Sequence, residues 1–328
     1  MGTTAPAPYS GDHCESTALV NMLRTKGIEL SEPLVFGLGQ GLSFLYWHSK
    51  QMPGPFLGGR VKPDHLIRNA VRALGLELHE QETTSRERAE AGLLAALDAG
   101  EVVGLKLDRF HLDYAEESHH FAAHYVTCVG YDGDAFLLAE TAPLGVRRTS
   151  RQSLREARAA KGPMSSRNLA FRLGAGDFDP AGLPEGCRGA VLATARDFLA
   201  PPITNLGFKG IAKTGSLMRR WSEQLDDPVA AVRRIGVSME DGGTGGGFFR
   251  ALWARFLDEA HGLTGIEAYR LAAADYRRTA DRWTEVATLL RKADEASLRG
   301  SLEEAAAVVG ELAGQERAAM TALEEASR

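Results

Sequence analysis

The chain has 328 residues, of which 44% are hydrophobic and 25% are charged, an ordinary globular composition with enough length for two domains. Its net charge of −5 excludes the basic character expected of a nucleic-acid partner, and three scattered cysteines exclude a disulfide framework or a zinc site of the cysteine type. No signal pattern and no apolar run of membrane-spanning length occur. We therefore expect a cytoplasmic protein with no membrane, nucleic-acid or metal partner.

Cys14 lies where an irregular, proline-containing start gives way to a predicted helix. Asp12 is the expected N-cap, Glu15 is its expected capping-box partner, and Gly27 is expected to end the helix. Unpaired N–H groups and the positive end of the helix dipole favour a thiolate in a first helical turn. Cys14 is therefore a candidate nucleophile, and the alternative is a small, buried and unreactive residue.

The following segments alternate between helical and strand patterns. Hydrophobic spacing predicts an amphipathic helix over 85–99. It predicts strands over 102–107, 125–129, 135–139 and 169–173. This mixture predicts an α+β fold in which helices lie beside an antiparallel sheet.

Two of these strands form a predicted hairpin around an Asp-Gly turn at 132–133. His124 opens the first strand and Glu140 follows the second, so we expect the two side chains to be neighbours. A histidine base oriented by a carboxylate is the usual support of a cysteine nucleophile. Taken alone, His124 is better explained as a structural histidine, and its pairing with Glu140 and Cys14 is what favours catalysis. His119 and His120 read as loop residues, and either replaces His124 if the strand boundary is displaced.

The second half of the chain has a mainly helical pattern. A boundary loop is expected over 174–189, and residues 189–195 are a candidate return to the sheet. Long helices are predicted over 265–296 and 302–326, as an antiparallel pair that serves packing or dimerisation. The predicted domains are a catalytic domain over 1–175 and a mainly helical domain over 176–328 that covers the substrate or supports a homodimer.

A glycine-rich segment over 242–247 precedes another predicted helix over 248–260. Glycine amides before a helix N-terminus suit an anionic ligand, and the missing Gly-Lys-Ser/Thr sequence excludes a Walker loop. Arg250 is a candidate ligand for phosphate or carboxylate. The candidate substrate-binding residues are Gly243, Thr244, Gly245 and Arg250. The alternative is a flexible hinge.

Three segments together resemble a known family. Residues 13–44 and the histidine strand over 124–134 resemble the N-terminal domain of the butirosin biosynthesis protein H family, a papain-like cysteine fold. Residues 242–260 resemble the C-terminal domain that accompanies it. The best-understood member moves an acyl group from an acyl carrier protein thioester to an amine of an aminoglycoside, so the resemblance implies an acyltransferase of antibiotic secondary metabolism. One departure is Glu140, since related folds more often have Asp or Asn there.

The resemblance implies a catalytic set of Cys14, His124 and Glu140. Cys14 takes the acyl group from a thioester, His124 is its base, and Glu140 orients the histidine. An amine then attacks the acyl-enzyme, while the backbone N–H of Cys14 and a second, unassigned donor stabilise the oxyanion. The donor is an acyl carrier protein or acyl-coenzyme A that carries its own phosphopantetheine, so no resident cofactor is expected. The acceptor is a small molecule.

Three alternatives use the same sequence features. A peptidase or amidase would use the Cys14–His124 pair to hydrolyse amides. A cyclase or condensing enzyme would let a carbon nucleophile attack the acyl group. A binding protein on a cysteine-enzyme fold would keep its function after Cys14→Ala.

Overall fold

A computed structural model describes residues 7–50, 52–116, 120–162 and 164–328. The chain divides into two compact units. The N-terminal unit contains residues up to 35 together with 63–179, and the helical unit contains 36–62 together with 180–328. The predicted boundary near residue 175 and this division differ in the placement of residues 36–62.

Twelve α-helices occur in the part of the chain that the structure describes. They are α1 (Cys14–Thr25), α2 (Glu32–Leu38), α3 (His65–Ala73), α4 (Arg86–Asp98), α5 (Arg151–Arg158), α6 (Leu183–Leu199), α7 (Gly207–Met218), α8 (Trp221–Gln224), α9 (Pro228–Asp241), α10 (Arg250–Thr264), α11 (Glu267–Lys292) and α12 (Leu298–Ala326).

Eight strands within the described residues form two antiparallel sheets. They are β1 (Leu42–Trp47), β2 (Phe56–Arg60), β3 (Leu78–Gln81), β4 (Val103–Leu107), β5 (His124–Asp132), β6 (Ala135–Ala139), β7 (Val146–Ser150) and β8 (Ala170–Leu173). β1 and β2 form a hairpin, and the other six strands form a sheet in the order β3-β8-β4-β5-β6-β7. The predicted α+β class, with an antiparallel sheet followed by a mainly helical region, is confirmed.

The six-stranded sheet organises the N-terminal unit. Every residue of its central strand β4 is buried, so both faces of that strand are covered. One cluster joins the sheet to α4 and α5, and its members include Leu93, Leu105, Val126, Phe136 and Leu154. Helix α1 also contacts β5, where the Thr127 hydroxyl donates to the carbonyl of Ala18 at 3.1 Å. The sheet therefore holds the Cys14 helix against the His124 strand.

Local sequence signals account for the elements around the site. Ser85 caps α4 by accepting from Arg88 N at 3.2 Å, as the pattern over 85–99 predicts. The β5–β6 hairpin turns at Gly133 and Asp134, between the paired residues Asp132 and Ala135, and Gly133 has φ +58°. A positive φ is readily adopted by glycine. The predicted hairpin is confirmed, with its turn one residue later than the expected 132–133.

The candidate return of 189–195 to the sheet is wrong, because these residues lie inside α6. Buried Cys187, Val191, Ala195 and Phe198 recur at helical spacing along it. The short apolar run fits a strand as well as a helix, and only the longer pattern favours the helix.

The β1–β2 hairpin belongs to the helical unit because of its aromatic packing. Phe44 lies 5.8 Å from Trp283 and 6.1 Å from Phe248, measured between ring centroids. The Tyr46 N–H also donates to the carbonyl of Asn205 at 2.9 Å. The hairpin thus packs against segments that lie more than 150 residues later in the chain.

The long helices α11 and α12 are antiparallel, as predicted. Tyr269, near the start of α11, hydrogen-bonds Ser327 just after α12, while Trp283 donates to Glu316 at 2.8 Å. Among the described residues, no helix combines the length and apolar character that crossing a bilayer requires.

A buried ion pair lies at the centre of the helical unit. The side chains of Arg250 and Glu316 are both 0% exposed, and Nη2 of Arg250 lies 2.9 Å from Oε2 of Glu316. The guanidinium also donates to the carbonyl of Phe248 at 2.9 Å and lies 5.1 Å from the Trp283 ring centroid. The pair therefore links α10, α11 and α12.

Removing one partner of this pair should destabilise the helical unit strongly. We expect Glu316→Leu to lower the free energy of unfolding by about 3–5 kcal/mol, because a buried guanidinium loses its carboxylate. The four tryptophans, at positions 47, 221, 253 and 283, all lie in the helical unit, so urea unfolding followed by tryptophan fluorescence reports on it.

Two further variants test whether the loss of stability comes from the unpaired buried charge and not from substitution in general. Arg250→Met/Glu316→Leu should be more stable than Glu316→Leu alone, since no buried charge is left unpaired. Asp258→Ala removes the exposed partner of Arg277 and should cost less than about 1 kcal/mol. Equal losses for Glu316→Leu and Asp258→Ala would contradict the assignment.

Candidate active site

Cys14 is the first residue of α1 and is half-buried. The expected capping box is wrong. The N-cap is His13, whose Nδ1 accepts from Ser16 N at 3.4 Å, so Asp12 lies one residue before the cap. Cys14 remains in the first helical turn, where backbone N–H groups point away from the helix and can bind an oxyanion.

Glu15 has a different role from the predicted one. It is 0% exposed, and its Oε1 accepts from the backbone N–H of Ile67 at 3.2 Å, in the first turn of α3. A carboxylate at this place stabilises the N-terminus of α3 rather than that of its own helix. Sequence spacing along α1 could not show a partner that is 52 residues away.

A second buried carboxylate, Glu32, holds the segment that leads into Cys14. It is 2% exposed. Its oxygens accept from the N–H groups of Asp12 (2.8 Å) and His13 (2.8 Å) and from the hydroxyls of Ser16 (2.9 Å), Thr17 (3.2 Å) and Tyr9 (3.3 Å). Glu32 therefore hydrogen-bonds both the backbone before Cys14 and the hydroxyl side chains after it. Sequence reasoning missed this role, since an acidic residue at a helix start usually serves its own helix.

The structure brings His124 and Glu140 together, at the start of β5 and directly after β6. Nε2 of His124 lies 2.9 Å from Oε1 and 3.0 Å from Oε2 of Glu140. Their side chains are 7% and 0% exposed, so the pair is shielded from water. The glutamate side chain thus reaches the imidazole directly.

The environment keeps this pair charged. Burial by itself lowers the pKa of His124, but the Glu140 carboxylate and a side-chain hydrogen bond to Cys14 outweigh burial and raise that pKa to about 10. Burial by itself raises the pKa of Glu140, but His124 and the Tyr114 hydroxyl lower it to about 2. At neutral pH His124 is therefore an imidazolium beside a carboxylate.

Cys14 also contributes to the raised pKa of His124, so the thiol and the imidazole are neighbours. Because Nε2 faces Glu140, Nδ1 is the ring nitrogen left to serve the thiol. A proton can then move between the sulfur and Nδ1 while the carboxylate stabilises the ring charge. This chain of three groups is the arrangement that activates a cysteine nucleophile.

Glu140 has further partners that sequence reasoning did not identify. The Tyr114 hydroxyl donates to Oε1 at 3.0 Å, and the N–H of Thr141 donates to Oε2 at 3.1 Å. Burial, followed by the negative charge of Glu140, raises the pKa of Tyr114 well above its ordinary value, so the hydroxyl stays a donor. Tyr114 carries no local signal, because it lies in an irregular segment between β4 and β5.

The other candidate histidines do not take the place of His124. His120 lies outside β5, and its Nδ1 is 2.8 Å from Oδ2 of Asp108. His119 lies outside the described residues.

The predicted substrate-binding residues are placed in the helical unit, and their side chains have structural partners. Arg250 is fully buried against Glu316, so its guanidinium is not presented to a ligand, contrary to the expectation. Thr244 is 2% exposed and donates to the carbonyl of Met239 at 2.9 Å. Gly243 and Gly245 have positive φ angles, and a Cβ on Gly245 would lie 2.8 Å from the Leu252 side chain. Backbone geometry and close packing account for these glycines.

Two family descriptions match the chain. Residues 13–141 match the family described as Butirosin biosynthesis protein H, N-terminal, and residues 152–323 match the Domain of unknown function (DUF4872). The second match includes the middle of the chain, where the sequence motifs are weaker. No curated protein matches the sequence. With these two domains in this order, the chain belongs to the butirosin biosynthesis protein H-like family.

Proposed function

We propose that the protein is a cysteine-dependent acyltransferase that moves an acyl group from a thioester, through Cys14, to an amine. The observation that carries the proposal is the Cys14–His124–Glu140 chain at a helix N-terminus. The family name, butirosin biosynthesis protein H, supports a biosynthetic rather than a degradative role in antibiotic metabolism.

In the first half-reaction the Cys14 sulfur attacks the thioester carbonyl carbon. The new C–S bond forms, and the N–H groups of the first α1 turn stabilise the oxyanion. The C–S bond to the donor thiol then breaks, and His124 returns the proton to the departing sulfur. One thioester replaces another, so the step is nearly balanced in free energy.

In the second half-reaction an amine nitrogen attacks the acyl-enzyme. A C–N bond forms, the bond to the Cys14 sulfur breaks, and the amine proton passes through His124 to the thiolate. Amide formation makes this step favourable. Glu140 contributes by stabilising the imidazolium that exists whenever His124 holds the proton.

Covalent catalysis predicts an acyl adduct on Cys14. Intact-protein mass spectrometry after incubation with acyl-coenzyme A or an acylated carrier protein should show a gain equal to the acyl group, with release of one donor thiol. Cys14→Ala should show no gain. Cys187→Ala should behave as the wild type, since Cys187 is fully buried.

Adding acceptors to the adduct then separates the functions. Loss of the adduct with an amine, and formation of an amide, supports acyl transfer. Equal loss in buffer alone would identify a hydrolase, and loss only with a carbon nucleophile would identify a condensing enzyme. No adduct with any donor would overturn covalent catalysis and favour a binding protein.

Glu140→Gln should lower the pKa of His124 by at least about two units, because burial remains while the negative charge is removed. At least half of the rings should then be neutral at pH 8 instead of nearly all protonated, and turnover should fall by about 10²-fold or more. Titration of the His124 ring by NMR measures the shift, with His124→Gln to assign the resonance. Tyr114→Phe keeps the carboxylate and should shift the titration much less. An unchanged titration in Glu140→Gln would contradict the role of this charge.

Glu32→Gln should slow the reaction of Cys14 while the unit stays folded. All five partners of Glu32 are donors, so an amide NH₂ must face at least one of them and displace the segment before Cys14. We expect kcat and the rate of Cys14 alkylation by iodoacetamide to fall by about tenfold, the cost of roughly 1.4 kcal/mol in barrier.

Glu29→Gln is the matched control for this test. Glu29 lies three residues earlier and is 67% exposed in its ion pair with Arg24. Alkylation profiles against pH should coincide for Glu29→Gln and the wild type. If the Glu32→Gln profile coincides with them too, Glu32 does not position the nucleophile.

A further inference from the structure

The segment between β4 and β5 brings together a second group of polar side chains. Asp108 directly follows β4, His111 ends a single 3-10 turn, and His120 lies four residues before β5. One ligand atom from each of these three residues lies within 4.8 Å of the other two. The mechanism proposed above uses none of them.

Asp108 is oriented toward the two histidines. It is 1% exposed, and its Oδ1 accepts from the N–H groups of Phe110 at 3.1 Å and Phe121 at 2.9 Å. Its Oδ2 is directed to Nδ1 of His120 at 2.8 Å. Backbone donors therefore fix the carboxylate and leave one oxygen for the imidazoles. Such support of a ligating group is typical of metal sites.

The histidines complete a set that is open on one side. The His111 side chain is 27% exposed and that of His120 is 64% exposed, so solvent reaches the space that they share with Asp108. Glu156 adds negative charge nearby, with its Oε2 4.0 Å from Nδ1 of His111. The set thus contains a carboxylate and two imidazoles, is accessible to solvent, and is anchored at its buried end.

We propose that Asp108, His111 and His120 bind a divalent transition-metal ion of the Zn²⁺ type. Two imidazoles and one carboxylate suit Zn²⁺ better than Ca²⁺ or Mg²⁺, which prefer oxygen ligands. Metal–ligand bonds of about 2.0–2.1 Å place tetrahedral ligand atoms about 3.3 Å apart. Metal binding would therefore lengthen the 2.8 Å distance between Asp108 and His120 slightly. It would shorten any distance between ligand atoms that is close to 4.8 Å. The ion takes the place of the proton between Asp108 and His120, and water fills the remaining position.

A bound ion would hold together the segment between β4 and β5, which contacts the His124–Glu140 pair. Leu107, directly before Asp108, is paired with His124 in the sheet. Tyr114, three residues after His111, donates to Glu140. Binding of the ion would therefore stabilise the folded segment, and this holds whether or not the protein transfers acyl groups.

The competing explanation is a surface ion pair stabilised by ring stacking. Phe110 lies 4.2 Å from the His120 ring and 5.3 Å from the His111 ring, measured between centroids. These contacts hold the rings near each other without a metal. Metal binding itself is therefore the property to measure.

The experiment uses tag-free, full-length Cys14→Ala protein, which removes the accessible thiol as a competing ligand. Zn²⁺ affinity is measured by competition with a chromogenic indicator, and Co²⁺ absorption reports the ligand type. We expect one equivalent bound, a Co²⁺ spectrum without thiolate charge-transfer bands, and a thermal midpoint that rises with Zn²⁺ concentration.

His120→Ala removes a side chain that is 64% exposed and keeps the two backbone N–H donors to Asp108. It should weaken Zn²⁺ binding at least tenfold and abolish the thermal shift. His79→Ala, which removes an exposed histidine of β3, should leave both unchanged. Absence of binding, or equal loss in the His120→Ala and His79→Ala variants, would overturn the proposal and leave the surface ion pair as the explanation.

Discussion

The carboxylate of Glu140 is buried, and a buried charge is stable only where an opposite charge and hydrogen-bond donors surround it. His124 supplies the charge, while the Tyr114 hydroxyl and the N–H of Thr141 supply further donors. These groups come from β5, from the segment before it and from the residue after Glu140. His124 is therefore placed beside Glu140 only when the sheet and the segment between β4 and β5 are both folded.

The same constraint applies to the Cys14 segment, where Glu32 adds hydrogen bonds to those of the His13 N-cap. Its five hydrogen bonds connect the start of α2 to residues on both sides of Cys14. Gly11 lies within this arrangement, and a Cβ there would be 2.4 Å from Oε2 of Glu32. Cys14 is thus positioned by a polar network in addition to the helix that it begins. Such networks are costly when one member is missing.

The helical unit uses a buried carboxylate for stability rather than for chemistry. Glu316 pairs with Arg250 and accepts from the Trp283 indole, so three helices share one charge pair. The glycine-rich segment beside it makes close packing feasible, because a Cβ on Gly247 would lie 2.4 Å from that of Ala280. Phe248 and Phe249 follow with positive φ angles and pack against neighbouring rings, including that of Phe36. Tight packing thus accounts for the motif that resembled an anion site.

The amino-acid sequence by itself determined the helices and strands whose signals are local. Ser85 before α4, Gly27 after α1 and the Asp-Gly sequence of the β5–β6 hairpin each act on a few neighbouring residues. The hairpin also determined that His124 and Glu140 are neighbours, because a turn joins positions close in the chain. These signals were sufficient for the α+β class and for the pairing of the base with its carboxylate.

Only the tertiary structure decided the contacts between distant segments. Glu15 contacts α3 at a separation of 52 residues. Glu32 holds the Cys14 segment at separations of 15 to 23 residues. Tyr114 reaches Glu140 at a separation of 26 residues. The placement of Arg250 against Glu316 was likewise invisible in the sequence, where an arginine beside glycines indicates an anion ligand equally well. A side chain's partner across the fold depends on how whole elements pack, and no periodicity or capping rule specifies that packing.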